Sequence, residues 1–347
     1  MKNNLFLLFI SILLFFTAEC SNETHPEPES DLAEEISVNT LGHIEIEDEG
    51  LEQILNTQAT PEIIGEGFSW SEGPVWVEEY NFLLFSDVPE NRVYKWTEEN
   101  GVEIYLEPSG FTDAAERGGE SGSNGLIIDE EGTLILCQHG DRRVARMNAP
   151  LDQPVPEFIS IADQYNGARF NSPNDVVQHS SGSFYFTDPP YGLEGYVNDP
   201  ARELDVQGVY RADPDGTVTL LTDELSRPNG LAFSPDENLL YIANSDNSRA
   251  IWMVYDVTEY GDIENGRVFY DATEFVGEEP GMPDGMKVRS DGTIFATGPG
   301  GIWIFTTGAE LLGKIKTGEF ISNIAFDDTE ETIYMTADNY LLKLDLR

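Results

Sequence analysis

Glu72, Asn124, Asn174, Asn229 and Asp284 stand at matching places along the chain, each followed by Gly or Asp and then by a short apolar strand. They are about 50 to 55 residues apart. Their two carboxylates and three amide oxygens, brought to one point, would make a hard-oxygen cage. Such a cage suits Ca²⁺ or Mg²⁺ better than a soft metal. An isolated Asn-Gly or Asp-Gly is ordinarily a hairpin turn. These pairs instead precede the first strand of a repeat. Pairs within the repeats, such as Glu131-Gly132, Asp215-Gly216 and Asp291-Gly292, fit the turn reading.

The elements that bring such residues together are repeats. Copies begin at Glu72, Asn124, Asn174, Asn229, Asp284 and Asn323, the last after about 40 residues. Each copy carries three or four strands of period-two patterning separated by turn pairs, and no stretch sustains helical periodicity. An all-β fold follows: a six-bladed β-propeller of four-stranded antiparallel blades around a central channel. The inner strands of a propeller line its channel, and their equivalent ends meet at one mouth. Ile63 and Ile64 are placed to supply the outer strand of the last blade and so close the ring. Residues 110–122 and 192–208 are expected to cover the mouth.

The chain has 347 residues, with 64 acidic against 19 Lys and Arg, a formal net charge of −45. That charge repels nucleic acid and anionic membranes. A hydrophobic content of 40% supplies a sizeable core. Four His and two Cys argue against a thiolate zinc site, and no Cys-x-x-Cys, His-Glu-x-x-His, Walker loop or dinucleotide fingerprint is present. Residues 1–20 read as an export signal, with Lys2 before the apolar run Leu5 to Phe16, too short to span a bilayer. Cys20 is similar to the acylated Cys of a bacterial lipoprotein, so two destinations stay open: the periplasm, or a membrane through a lipid anchor. Residues 21–58 form an acidic tether and N-terminal extension, in which Ile44 to Ile46 and Leu51 to Leu55 suit a short strand and a helical turn. Residues 59–347 make the propeller, and Cys137 is left without an internal disulfide partner after processing.

The segments Ser71 to Trp76, Arg169 to Asp175 (RFNSPND), Pro228 to Leu231 and Pro283 to Met286 carry a resemblance, joined by Cys137 to Arg143 and Phe186 to Gly192. Through them the chain resembles, from about Gly42 to the C-terminus, the gluconolactonase family of six-bladed propellers, which includes regucalcin-like lactonases. The resemblance implies hydrolysis of a sugar lactone such as D-glucono-1,5-lactone. It implies one divalent cation, Ca²⁺ first, with Mg²⁺, Mn²⁺ and Zn²⁺ open. Carried over by motif, its ligands are Glu72, Asn174, Asn229 and Asp284, with Asn171 the alternative to Asn174 in the Arg-x-Asn pattern. Asp284 is the expected base for the attacking water. Asn124, Arg169, Asn171 and His139 are the expected substrate contacts, and Tyr191 either packs a turn or shapes the pocket rim. Three other readings remain: an ester or phosphotriester hydrolase on the same cage, an exported propeller that binds a glycan or protein without turnover, and a calcium buffer.

Overall fold

The computed structural model describes residues 39–114 and 118–347. The expected leader, Cys20 and the first part of the tether, residues 21–38, lie outside the described residues.

Six antiparallel sheets follow one another along the chain, each beginning at the channel with its first strand. Blade one is Ser71–Val77, Phe82–Asp87, Arg92–Thr97 and Gly101–Leu106; blade two is Ser123–Ile128, Leu134–Gln138, Arg143–Met147 and Phe158–Ala162. Blade three is Val176–Gln178, Phe184–Thr187, Val209–Ala212 and Val218–Thr222; blade four is Pro228–Phe233, Leu239–Asp246, Arg249–Val257 and Ile263–Asp271. Blade five is Met286–Val288, Ile294–Gly298, Gly301–Phe305 and Leu311–Lys316. Blade six has Ile321–Phe326, Thr332–Ala337 and Tyr340–Asp345, and takes its outer strand, Glu62–Glu66, from ahead of blade one. The expected closure through Ile63 and Ile64 is thus formed, with Ile63 opposite Leu342.

The strand His43–Ile46 adds a fifth member to blade five, pairing from His43 opposite Lys316 to Ile46 opposite Gly313. A 3₁₀ turn at Glu49–Gln53 then buries Leu51 completely against that sheet. The extension therefore packs on the ring, with Asn39, Thr40 and Leu41 also bonding the segment 61–63. A short hairpin, Gln164–Tyr165 with Ala168–Arg169, leaves blade two before the inner strand of blade three.

Apolar burial falls between neighbouring blades. One core cluster joins Leu84 and Val93 of blade one to Leu126 and Leu136 of blade two. Another joins Trp252 of blade four to Trp303 of blade five, their ring centroids 5.7 Å apart. Equivalent clusters fill the other four interfaces, so the β-branched and aromatic residues of each strand pack sideways around the ring. Trp96, Trp252 and Trp303 are buried in these cores, and Trp76 stacks on Tyr334. Cys137 is buried and, among the described residues, unpaired. No helix among the described residues is long and apolar enough to cross a membrane.

Candidate active site

Each inner strand loses regular pairing at the mouth. The register slips between Glu72 and Val75, between Ser123 and Leu126, between Pro228 and Leu231, and between Ile321 and Asn323. In blades three and five the paired strand begins only after Asn174-Asp175 and Asp284-Gly285. A bulge frees a side chain from the pleat and re-aims it. Asn124 and Asn229 fall inside such slips, Asn174 and Asp284 precede their paired strands, and Glu72 is the last paired residue before its slip.

The freed ends are tied to one another across blades. Ser86 Oγ donates to the Asn124 carbonyl at 2.8 Å, Gly125 N–H donates to the Asn174 carbonyl at 2.8 Å, and Gly285 N–H donates to the Ser322 carbonyl at 2.7 Å. Ser322 Oγ then donates to the Ser71 carbonyl at 2.7 Å, which joins blade six to blade one. The glycine after Glu72, Asn124, Asn229 and Asp284 is a consequence of this closeness. A Cβ on Gly230 would stand 2.2 Å from the Asp284 carbonyl oxygen, and one on Gly125 would stand 2.5 Å from Asp175 Oδ1. Gly230→Ala is therefore expected to cost about 1–3 kcal/mol and to displace Asp284. Thermal melts alongside metal titration check this, and a variant with wild-type values in both would show that the contact relaxes freely.

Glu72, Asn124, Asn174, Asn229 and Asp284 all line one cavity of about 230 Å³ at the mouth, together with Trp70, Glu120, Tyr191, Ser245, Met282 and Phe320. All five repeat-opening residues are buried, with none more than 7% exposed. Asn171 stands apart from this cavity. Its side-chain amide donates to the Asp188 carboxylate and carbonyl and to the Val206 carbonyl, at 2.9 to 3.1 Å. Asn174, rather than Asn171, faces the cavity. Arg169 also stands elsewhere: it ends the outer hairpin, is exposed, and donates through its guanidinium to the Asp141 carbonyl at 2.8 Å. His139 is wholly buried behind the cavity, with Nδ1 3.2 Å from the Glu120 carboxylate.

The carboxylates repel. Burial pushes Glu72 up to about 8, aided by the charges of Asp175 and Glu120 and opposed by the Gly73 N–H that donates to it at 2.7 Å. Asp284 is pushed well above the usual carboxylate range by burial and then by Glu72, Asp175 and Glu120, while Asn229 opposes the rise. Asp175, also buried and raised by desolvation, is partly balanced by Lys287. Asn323 links Asp175 and Lys287, at 3.5 Å from each.

A cation fits these residues. Asn124 Oδ1 and Asp284 Oδ1 are buried and lack a hydrogen-bond partner among the described residues, a costly state for polar oxygens unless something else meets them. Among the described residues no group of three or more His, Cys, Asp and Glu is arranged to hold a metal. The ion would therefore depend on amide oxygens as well as on Glu72 and Asp284, a donor set suited to a hard cation.

Sequence reasoning missed Glu120, Trp70, Phe320, Met282 and Ser245, which come from loops or strand ends outside the repeated pairs. It also passed over Asp175. Its signal was available, a carboxylate where four other copies carry Gly.

Residues 70–339 match the family model described as the SMP-30/Gluconolactonase/LRE-like region. The chain belongs to that family. A gluconolactonase of Zymomonas mobilis is 39% identical over 317 residues, covering 88% of this chain and 86% of the relative. The pentonolactonase XacC of Haloferax volcanii is 26% identical, covering 76% of this chain and 80% of its own. Among solved structures, a gluconolactonase of Xanthomonas campestris superposes with a TM-score of 0.76 at 29% identity, covering 89% of this chain and 96% of that one. The SMP-30/gluconolactonase match, over residues 70–339, covers blades one to five and the two inner strands of blade six, and contains every residue of the mouth cavity.

Proposed function

We propose that the chain opens a sugar lactone such as D-glucono-1,5-lactone, using one divalent cation held by Glu72, Asn174, Asn229 and Asp284. The chain is a lactone-hydrolysing enzyme by its family and by its lactonase relatives. The observation that carries the finer reading is the convergence of five buried oxygen-bearing side chains on one cavity, two of them with unpartnered oxygens.

Bound at these residues, a cation would polarise the lactone carbonyl and favour the charge that develops on its oxygen. The protein's own groups do the rest. Asp284 takes a proton from the attacking water as the new C–O bond forms. The same proton then serves the ring oxygen as the ester bond breaks, leaving a hydroxy acid. Glu72, fixed by the Gly73 N–H, keeps its carboxylate in place as a ligand. Asn124, also at the mouth, is positioned against the substrate or the attacking water.

Hydrolysis of D-glucono-1,5-lactone by the chelated protein, with divalent ions returned singly, tests the reading. Activity is expected to vanish on chelation and to return with one ion, Ca²⁺ being tried first. Undiminished activity in chelator would remove the metal from the mechanism. Metal binding without turnover of any lactone would favour a phosphotriester substrate, or a propeller that binds without turnover.

A further inference from the structure

The cavity wall changes character around the ring. Trp70 leads into blade one, Phe320 leads into blade six, and Met282 leads into blade five. The Trp70 and Phe320 rings pack together with centroids 5.5 Å apart. Glu120 leads into blade two, Tyr191 follows the second strand of blade three, and Ser245 is near the end of the second strand of blade four. Ser245 Oγ donates to the Pro283 carbonyl at 2.8 Å. Blades five, six and one are consecutive in the closed ring, as are blades two, three and four. The apolar and polar walls therefore face each other across the mouth.

Glu120 is held for a purpose on the polar wall. Its carboxylate is braced by buried His139 at 3.2 Å, and a Cβ on Gly118 would stand 2.7 Å from the Glu194 carboxyl carbon. Its side chain nevertheless keeps 34% exposure, so it can meet a ligand in the cavity. An ionised carboxylate accepts hydrogen bonds and donates none, so it selects for hydroxyl groups. The cavity, at about 230 Å³, is smaller than the roughly 300–1,000 Å³ usual for drug-sized ligands. It admits a single small ring.

We propose that Trp70 and Phe320, with Met282, seat the C–H face of the lactone ring, while Glu120, braced by His139, accepts hydrogen bonds from its hydroxyls. The inference rests on the lactonase reading above and assigns that site its substrate-selecting residues. A site built to bond a hydroxyl discriminates strongly against an analogue that lacks it.

The test compares D-glucono-1,5-lactone with δ-valerolactone, which has the same ring without hydroxyls. Where δ-valerolactone turns over too slowly, it is read as a competitive inhibitor. Glu120→Gln is expected to weaken D-glucono-1,5-lactone relative to δ-valerolactone by about 10-fold or more, chiefly through KM. Trp70→Ala is expected to weaken both lactones, with Trp70→Phe recovering most of the loss; the phenylalanine variant also serves if the alanine variant does not fold. Equal losses on both lactones in Glu120→Gln, or no loss there, would overturn the hydroxyl assignment. Wild-type values in Trp70→Ala would overturn the apolar seat. A wild-type protein that neither turns over nor binds either lactone with any divalent ion would overturn the lactonase reading itself.

Discussion

Asp284→Asn is expected to lower D-glucono-1,5-lactone hydrolysis by about 10²–10⁴-fold while raising the melting temperature of the chelated protein. The two effects have opposite signs because the carboxylate has two roles. In the proposed reaction it would take the proton of water and help to hold the cation. In the ion-free fold it is a buried acid beside Glu72, Asp175 and Glu120, with one oxygen left without a partner. Asparagine keeps the shape and removes the cost of burying that carboxyl group, whether charged or held protonated above its usual range. Glu72→Gln should behave alike on metal binding and on chelated stability. Retained activity in Asp284→Asn would refute the base and ligand assignments together. A lowered melting temperature in chelator would show that the carboxylate stabilises the ion-free ring.

The second large effect is the pH dependence of metal binding. Glu72 in the ion-free protein holds its proton up to a pH of about 8. A cation must displace that proton, so binding releases it and weakens as the pH falls. A displaced proton costs about tenfold in affinity per pH unit below the value at which it is held, so the Glu72 proton alone makes binding about 50-fold weaker at pH 6 than at pH 8. Stability of the chelated protein runs the other way. Between the ordinary value of 4.5 and about 8, folded Glu72 binds a proton that the unfolded chain has lost. The folded state then carries more protons, so its stability falls as pH rises through that window. Calorimetric titration in buffers of different ionisation enthalpy counts the protons, and melts in chelator at pH 5 and pH 8 check the second part. Affinity that stays level from pH 8 to pH 6 would mean that Glu72 is already ionised before the cation arrives.

The ring was readable in the chain because its construction is periodic: each copy repeats the same turn pairs and the same apolar alternation. For the same reason the site residues that share a repeat position, from Glu72 to Asp284, could be named together. Residues outside the period left no such trace. Trp70, Phe320 and Met282 reach the cavity from approach segments of different sequence, and Glu120 from a loop between blades. Motif proximity misled in the other direction. Asn171 lies in the same short segment as Asn174, yet its amide is engaged by Asp188 and Val206. Arg169 opens that segment but sits on the outer hairpin, where the chain has not yet reached the channel. Sequence distance of a few residues does not say which side of a turn a side chain will face.

The six apolar clusters lie at the seams between blades. Stability and chemistry are thereby assigned to different parts of the molecule. Exchanging a side chain at the mouth removes little packing, so variation can sample new specificities there without first loosening the scaffold. A closed ring with its oil in the joints and its reagents on the axle can change substrate while remaining the same machine.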